Sequence, residues 1–265
     1  MAKIRQLYKK KVIKNMTLLV YAITGLAGGV LTGLAGLTAA MVVTPILCSV
    51  CGWSAYDAVT LSLIANVPSA LAACLTFYKN GNLDMKRGLH VAIAAFAGTV
   101  VGSWLGWLFS QVSENGLSYA VILSNLFLAA KFFLPVKQKE HKPAGQKRTV
   151  LALVLAFLIG VECGFMGSAG GVLMLMVLTL VLGMDTKLAV GTSSLVMTLV
   201  ALIGALSHVG MGAQVELMPG LVVTVCCTLA AMISARFANR VEEKTHNRAA
   251  GLVLILVSVA SLILS

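Results

Sequence analysis

Charge is scarce in this chain. Asp, Glu, Lys and Arg make up 11% of its 265 residues and only nine residues are acidic, where soluble domains carry about a quarter charged residues. That scarcity excludes a soluble enzyme or binding domain, and the 59% apolar content places the chain in a bilayer as one polytopic bundle. Aromatic residues are also few, at 6%, and they do not interleave with the Lys and Arg residues. Those cations sit in short runs beside apolar segments, so the net charge of +11 reads as a set of topology signals and not as a nucleic-acid surface. Of six cysteines only Cys48 and Cys51 form a C-x-x-C. They lie inside an apolar segment with no second pair and no nearby histidine, which excludes a zinc or redox site and leaves small buried hydrophobes. No metal and no cofactor is expected. No cleaved leader is expected either. The basic start MAKIRQLYKKKVIKN precedes an apolar run longer than a signal's core, and cleavage there would cut a duplicated unit.

That duplication is what the chain does have. Residues 29 to 91 reappear 131 positions later as residues 160 to 222, with Gly29, Gly33 and Gly36 falling on Gly160, Gly164 and Gly167. Further along, Gly52, Ala58, Ser62, Leu75 and Gly81 fall on Gly183, Ala189, Ser193, Leu206 and Gly212. Internal repeats of this kind build many secondary transporters, which hold substrate between the halves near the bilayer midplane.

Apolar segments are expected near 17 to 50, 56 to 78, 89 to 110 and 117 to 134, and again near 149 to 183, 186 to 209, 216 to 237 and 248 to 264. The organisation is an N-terminal repeat over 16–135, a polar cytoplasmic connector over 136–148 and a C-terminal repeat over 149–265. Most segments have the roughly twenty residues that a crossing helix needs. The first of each half runs about 34 residues and is interrupted by glycines, so each is expected to be a broken helix or a hairpin that enters and turns back. The basic tail of Lys3, Arg5, Lys9, Lys10, Lys11 and Lys14 is expected to be cytoplasmic. So is the connector with Lys137, Lys139, Lys142, Lys147 and Arg148. Lys79, Lys86 and Arg87 agree if the first long segment crosses once, whereas Arg236, Arg240, Lys244 and Arg248 need an even number of crossings in segment 149 to 183. Parallel and inverted repeats both remain open, with eight to ten spans.

Chemistry is expected at the two breaks. The first reads Gly29-Val-Leu-Thr-Gly33-Leu-Ala-Gly36-Leu-Thr38, and the second runs from Gly160 to Gly171 through Glu162, Gly164, Gly167, Ser168 and Gly170. Glycines there free backbone N–H groups and let a half-helix begin with its positive end inside the protein, where an anion is stabilised. Thr38, Ser168, the Thr60/Ser62 pair and Thr192, Ser193 and Ser194 add neutral donors, a set that suits a compact oxyanion such as sulfite or a sulfonate. Asn66, a mid-segment amide opposite Met197 in the repeat, joins them as a substrate contact. The competing reading of these glycines is helix packing, because Gly25, Gly29, Gly33 and Gly36, and Gly98, Gly102 and Gly106, recur at spacings of three and four. Glu162 sits at membrane depth, where a carboxylate costs roughly 2.5 to 3.5 kcal/mol unless it is protonated, paired or wetted. Its first-half counterpart is Leu31, and it is the expected proton carrier.

Other polar residues read more simply. Ser54, Asp57 and Asp185 follow turns and suit helix caps, His208 lies near the end of its segment as a loop-facing or a buried residue, and Trp104 and Trp107 suit an interfacial or core face. An intramembrane serine hydrolase using Ser168 and His208 is disfavoured, since Met166 stands where a G-x-S pattern wants glycine. A passive anion channel could use the same half-helix ends, but Glu162 would oppose anion flow.

The glycine-rich segments, the stretches Asp57-Ala58-Val-Thr60-Leu-Ser62 and Leu188-Ala189-Val-Gly191-Thr192-Ser193-Ser194, and Tyr78-Lys-Asn-Gly81 with Gly212 as its partner together resemble the TauE/SafE sulfite exporter family from Thr24 onward. That resemblance implies a bacterial inner-membrane, multi-pass permease, not an enzyme. Its cargo would be sulfite, sulfonates or related sulfur-containing organic anions, driven by an ion gradient. The first half departs from the family's run of adjacent glycines, with Gly36-Leu-Thr38-Ala39 before Pro45, and the second keeps Gly170-Gly171 but has Met176 where Pro45 would fall. The expected fold is an all-α polytopic membrane helix bundle, and the expected partners are a small anionic substrate, the lipid bilayer and a second copy of the chain, with no nucleic acid.

Overall fold

A computed structural model describes residues 2–35, 38–113, 145–167 and 170–238, with a few positions between 116 and 123 and at 255 and 259; for residues 2–17 and Ala35 only the backbone is described. Among the described residues every regular element is helical: α1 (Ala2–Ala35), α2 (Ala40–Cys51), α3 (Ala55–Lys79), α4 (Met85–Val112), α5 (Gln146–Met166), α6 (Gly170–Met176) with a π-helical extension (Val177–Val181), α7 (Thr186–Gly210) and α8 (Leu217–Ala238). Five of these, α3, α4, α5, α7 and α8, are long and apolar enough to cross a bilayer. Helix α5 begins within the expected polar connector, at Gln146. The expected segments 117 to 134 and 248 to 264 lie mostly outside the described residues.

Local chemistry sets the helix ends. Helix α2 stops at Gly52, whose left-handed backbone (φ 68°) lets its N–H bond Leu47 O, a conformation in which glycine carries no Cβ penalty. Ser54 caps α3 by accepting from Asp57 N at 3.1 Å and donating to Asp57 Oδ2 at 2.7 Å. Asp57 also ties this end to the α7–α8 turn by accepting from Gln214 N at 2.7 Å. Asp84 caps α4 through Arg87 N. Asp185 holds the N-cap position of α7 without a side-chain capping bond there.

Both long segments fold back on themselves. Gly28 of α1 faces Ala39 and Val43 of α2, and Trp53, just after α2, donates its indole N–H to Tyr21 OH at 3.2 Å. Chain entering near Tyr21 therefore returns to the same end of the bundle at Trp53. In the second segment Gly170 faces Cys163, and Ala152 and Ala156 share a core with Leu178 and Leu182. A single crossing by the first segment is thus replaced by a re-entrant hairpin. Lys79, Lys86 and Arg87 then lie at the opposite face from the one α1 enters, so they do not share a side with the basic tail.

Glycine spacing fixes the helix pairs. Added Cβ atoms on Gly25, Gly29 and Gly33 would run in order into Val223, Cys227 and Ala231 of α8, so α1 and α8 are parallel. Gly98, Gly102 and Gly106 likewise meet Phe157, Val161 and Phe165, so α4 and α5 are parallel. Helices α3 and α7 pack antiparallel, with Leu63 beside Gly204 near one end and Phe77 beside Gly191 near the other. They are the most buried of the spans, and the two hairpins insert on either side of them from opposite faces. We call the face with the 52–54 and 211–216 turns the first face, and the one with the 80–84 and 182–185 turns the second.

Candidate functional site

The tips of the two hairpins meet inside the bundle. Gly167, the left-handed C-cap of α5 (φ 71°), lies against Ala40 at the start of α2 and against Val59 and Leu63 of α3. Asn66 sits one turn further along α3. It is eleven residues past Ala55 and thirteen before Lys79, or about 17 to 20 Å of helix from either end, which is near the midplane of an ordinary bilayer.

Asn66 is 1% exposed. Its Oδ1 accepts from Ala39 N at 3.1 Å, and because that backbone group can only donate, the orientation of the amide is fixed. The amide nitrogen Nδ2 then points elsewhere. It is buried and meets no hydrogen-bond partner among the described residues. An unmet donor in such a place costs about 1 to 3 kcal/mol, so it marks a position where an acceptor would be strongly held. Helix α2 adds to this, since Ala39 supplies no side-chain cap and its first turn presents the positive end of a twelve-residue helix.

The hydroxyl groups behave differently. Ser62 Oγ donates to Ala58 O at 2.7 Å and so accepts from Thr44 Oγ1 at 2.7 Å. Ser193 and Ser194 both donate to Val190 O at 2.9 Å. Thr192 donates to Leu188 O and accepts from Asp84 N at the second face. Their protons are spent on carbonyls of their own helices, as small hydroxyl side chains often do in helices. Thr38, Ser62, Asn66 and Gly167 are therefore grouped around the hairpin tips, whereas Thr192 is held at the second face. Gly33 packs against Ala231 and Ser234 of α8, and Gly170 against Cys163 and Met197, while Gly171 is buried in the same short helix. Gly36 and Ser168 lie outside the described residues. Glu162 is half-buried on α5, with its Oε2 enclosed, between Val161, which faces α4, and the buried Cys163.

His208 was the least legible polar residue in the sequence, and it is fully buried. Its Nε2 donates to Gly164 O at 2.8 Å and its Nδ1 faces Thr60 Oγ1 at 3.1 Å, while the ring stacks on Tyr56 at 4.5 Å. It thus pins α7 to α3 and to the turn of α5 just before the break. Its repeat counterpart is Phe77, which contributes no polar pattern, so only the three-dimensional contact reveals the role. With both ring nitrogens engaged, neither is aimed at a serine. His208→Ala is expected to leave a cavity and orphan the Gly164 carbonyl, lowering stability by about 2 to 4 kcal/mol; thermal unfolding of the detergent-solubilised protein measures it. Trp104 is 54% exposed, facing lipid.

Similarity to known proteins gives the family. The family model described as sulfite exporter TauE/SafE matches residues 21–261. The probable membrane transporter protein YunE of Bacillus subtilis (strain 168) is 26% identical over 265 residues, covering 91% of this chain and 96% of its own. The probable membrane transporter protein YdhB of the same organism is 25% identical over 243 residues, covering 89% and 95%. No solved structure is a significant match. A helical, multi-pass bundle with interrupted helices meeting at its centre and a family match over nearly its whole length makes this chain a member of the TauE/SafE sulfite exporter family and a membrane transporter.

Proposed function

We propose that the chain is a secondary permease of the bacterial inner membrane for sulfite, sulfonates or related sulfur-containing organic anions, and that it binds them where the hairpin tips meet. The observation that carries this reading is the buried Asn66 Nδ2 beside the start of α2. A donor and a helix N-terminus at mid-membrane suit a compact oxyanion, as in transporters built on broken helices. The two halves, residues 16–135 and 149–265 joined by 136–148, act as inverted units in this reading, supported by hairpins that insert from opposite faces. Such an arrangement lets the central site be exposed to one side at a time. A saturable carrier is favoured over an open channel because the described residues around Asn66 are closely packed, with Thr38, Ala39, Thr44 and Ser62 all buried.

Binding can be tested apart from transport. Sulfite or a small alkyl sulfonate at about 100 times its Kd should stabilise the purified protein by about 2.7 kcal/mol, seen as a rise in Tm, and chloride at equal ionic strength should not. Equal shifts for every salt would remove the substrate assignment. Glu162 is the proposed proton-carrying residue, since a carboxylate at membrane depth is costly unless it is protonated, paired or wetted. Glu162→Gln should retain binding yet lose the dependence of flux on an imposed pH gradient. Unchanged gradient dependence would remove that role.

A further inference from the structure

On the outer surface of the bundle, away from the hairpin tips, a groove of about 480 Å³ runs between the C-terminal halves of α3 and α8. Its α3 wall is one helical stripe, Pro68, Leu71, Ala72, Leu75 and Thr76, and Met232 forms the other side. Small Ala72 beneath the larger Leu71 and Leu75 opens the depression. Leu71 and Leu75 are 44% and 50% exposed, in a span whose exterior is lipid. Pro68 to Lys79 covers eleven helical steps, about 16 Å, which is about the hydrocarbon depth of one leaflet.

Polarity along the groove rises toward the second face. Its deep end is apolar. Thr76 and Asn80 come next, with Asn80 Nδ2 donating to Thr76 O at 2.8 Å. Lys79 and Arg236 stand at the mouth from opposite walls. Both are exposed, and neither takes part in the ion pair at this face, which joins Arg87 to Asp84. Apolar chain, polar linkage and anion, in that order over that length, are the parts of an anionic phospholipid. A second copy of this chain fits poorly by charge, because a two-fold contact here would oppose the cationic rims to each other.

We propose that this groove is a binding site for an anionic phospholipid of the leaflet at the second face, its phosphate held between Lys79 and Arg236 and an acyl chain lying along Pro68 to Leu75. The site is separate from the proposed substrate site and stands whether or not that assignment holds.

The test uses the full chain in mild detergent, titrated with phosphatidylglycerol or phosphatidylcholine of matched chains and read by native mass spectrometry. Two basic residues near a membrane surface favour an anionic lipid by roughly 10- to 30-fold, so phosphatidylglycerol should bind tighter by about that factor. Lys79→Gln with Arg236→Gln should abolish the preference while leaving phosphatidylcholine binding unchanged. Lys86→Gln with Arg87→Gln, at the same face but outside the groove, should keep it, and loss there instead would show a diffuse surface effect and overturn the site. Competition by inorganic phosphate as effective as the lipid would make it a plain anion site and also overturn the proposal. A doubled mass whose formation is lost in the Lys79/Arg236 variant would assign the groove to a second copy. If the double glutamine variant does not fold, Lys79→Arg with Arg236→Lys must keep the preference, and its loss there would overturn the proposal equally.

Discussion

Asn66→Asp is expected to cut anion flux by about 100-fold while leaving the protein folded. The substitution keeps the size of the side chain and an oxygen to accept from Ala39 N, now 3.1 Å from Asn66 Oδ1. A carboxylate beside the start of α2 gains about 0.3 to 2 kcal/mol from the positive end of that helix, which offsets part of the roughly 2.5 to 3.5 kcal/mol that an ionised group costs at membrane depth, so Tm should fall only modestly. For a bound anion the change works the other way. The Nδ2 donor is lost, and two negative charges about 5 Å apart at an effective dielectric of about 20 repel by roughly 3 kcal/mol, or more than 100-fold in affinity. A loss of flux far larger than the modest fall in stability separates a substrate contact from a structural amide. A variant with wild-type flux and normal Tm would remove Asn66 from the transport path.

The second large effect is steric. Gly102→Ala would drive its methyl into the backbone of Val161 on α5, and Gly29→Ala would meet Cys227 O and Ala230 on α8. Backbone does not yield as a flexible side chain does, so the helices must separate. Overpacking typically costs 1 to 3 kcal/mol and occasionally more, and with a main-chain atom as the obstacle we expect about 3 kcal/mol for each. Gly210→Ala supplies the contrast, since nothing lies within 4 Å of the added group, and should change stability by no more than about 0.5 kcal/mol. Thermal unfolding in one detergent compares the three. Equal Tm values would contradict close contact of α1 with α8 and of α4 with α5.

Much of this architecture can be read from composition. Sparse charge and long apolar runs require helices in a bilayer, and segments of about 34 residues with internal glycines require interruptions. Which interruption occurs is a tertiary matter. The difference between one crossing and a hairpin rests on whether Tyr21 and Trp53 share an end, and no local pattern encodes that. The site is legible in part. Asn66 stands out as an amide in an apolar run, but the hydroxyls look like free donors in sequence because their bonds to carbonyls three or four residues back form only once the helix exists. Glycines carry two meanings in one letter. Those at Gly25, Gly29, Gly98 and Gly102 serve close packing, Gly167 serves a left-handed turn, and spacing alone does not separate the two. His208 escapes because its partners lie 148 and 44 residues away.

Flux of radiolabelled sulfite into proteoliposomes tests the central claim most directly, measured against sulfite concentration with and without a pH gradient and with sulfonates as competitors. A coupled carrier with its site at the hairpin tips gives uptake that saturates, follows the gradient, falls with sulfonate and is lost in Asn66→Asp. Uptake equal to that of empty liposomes, or rising linearly with concentration and indifferent to that substitution, would contradict it.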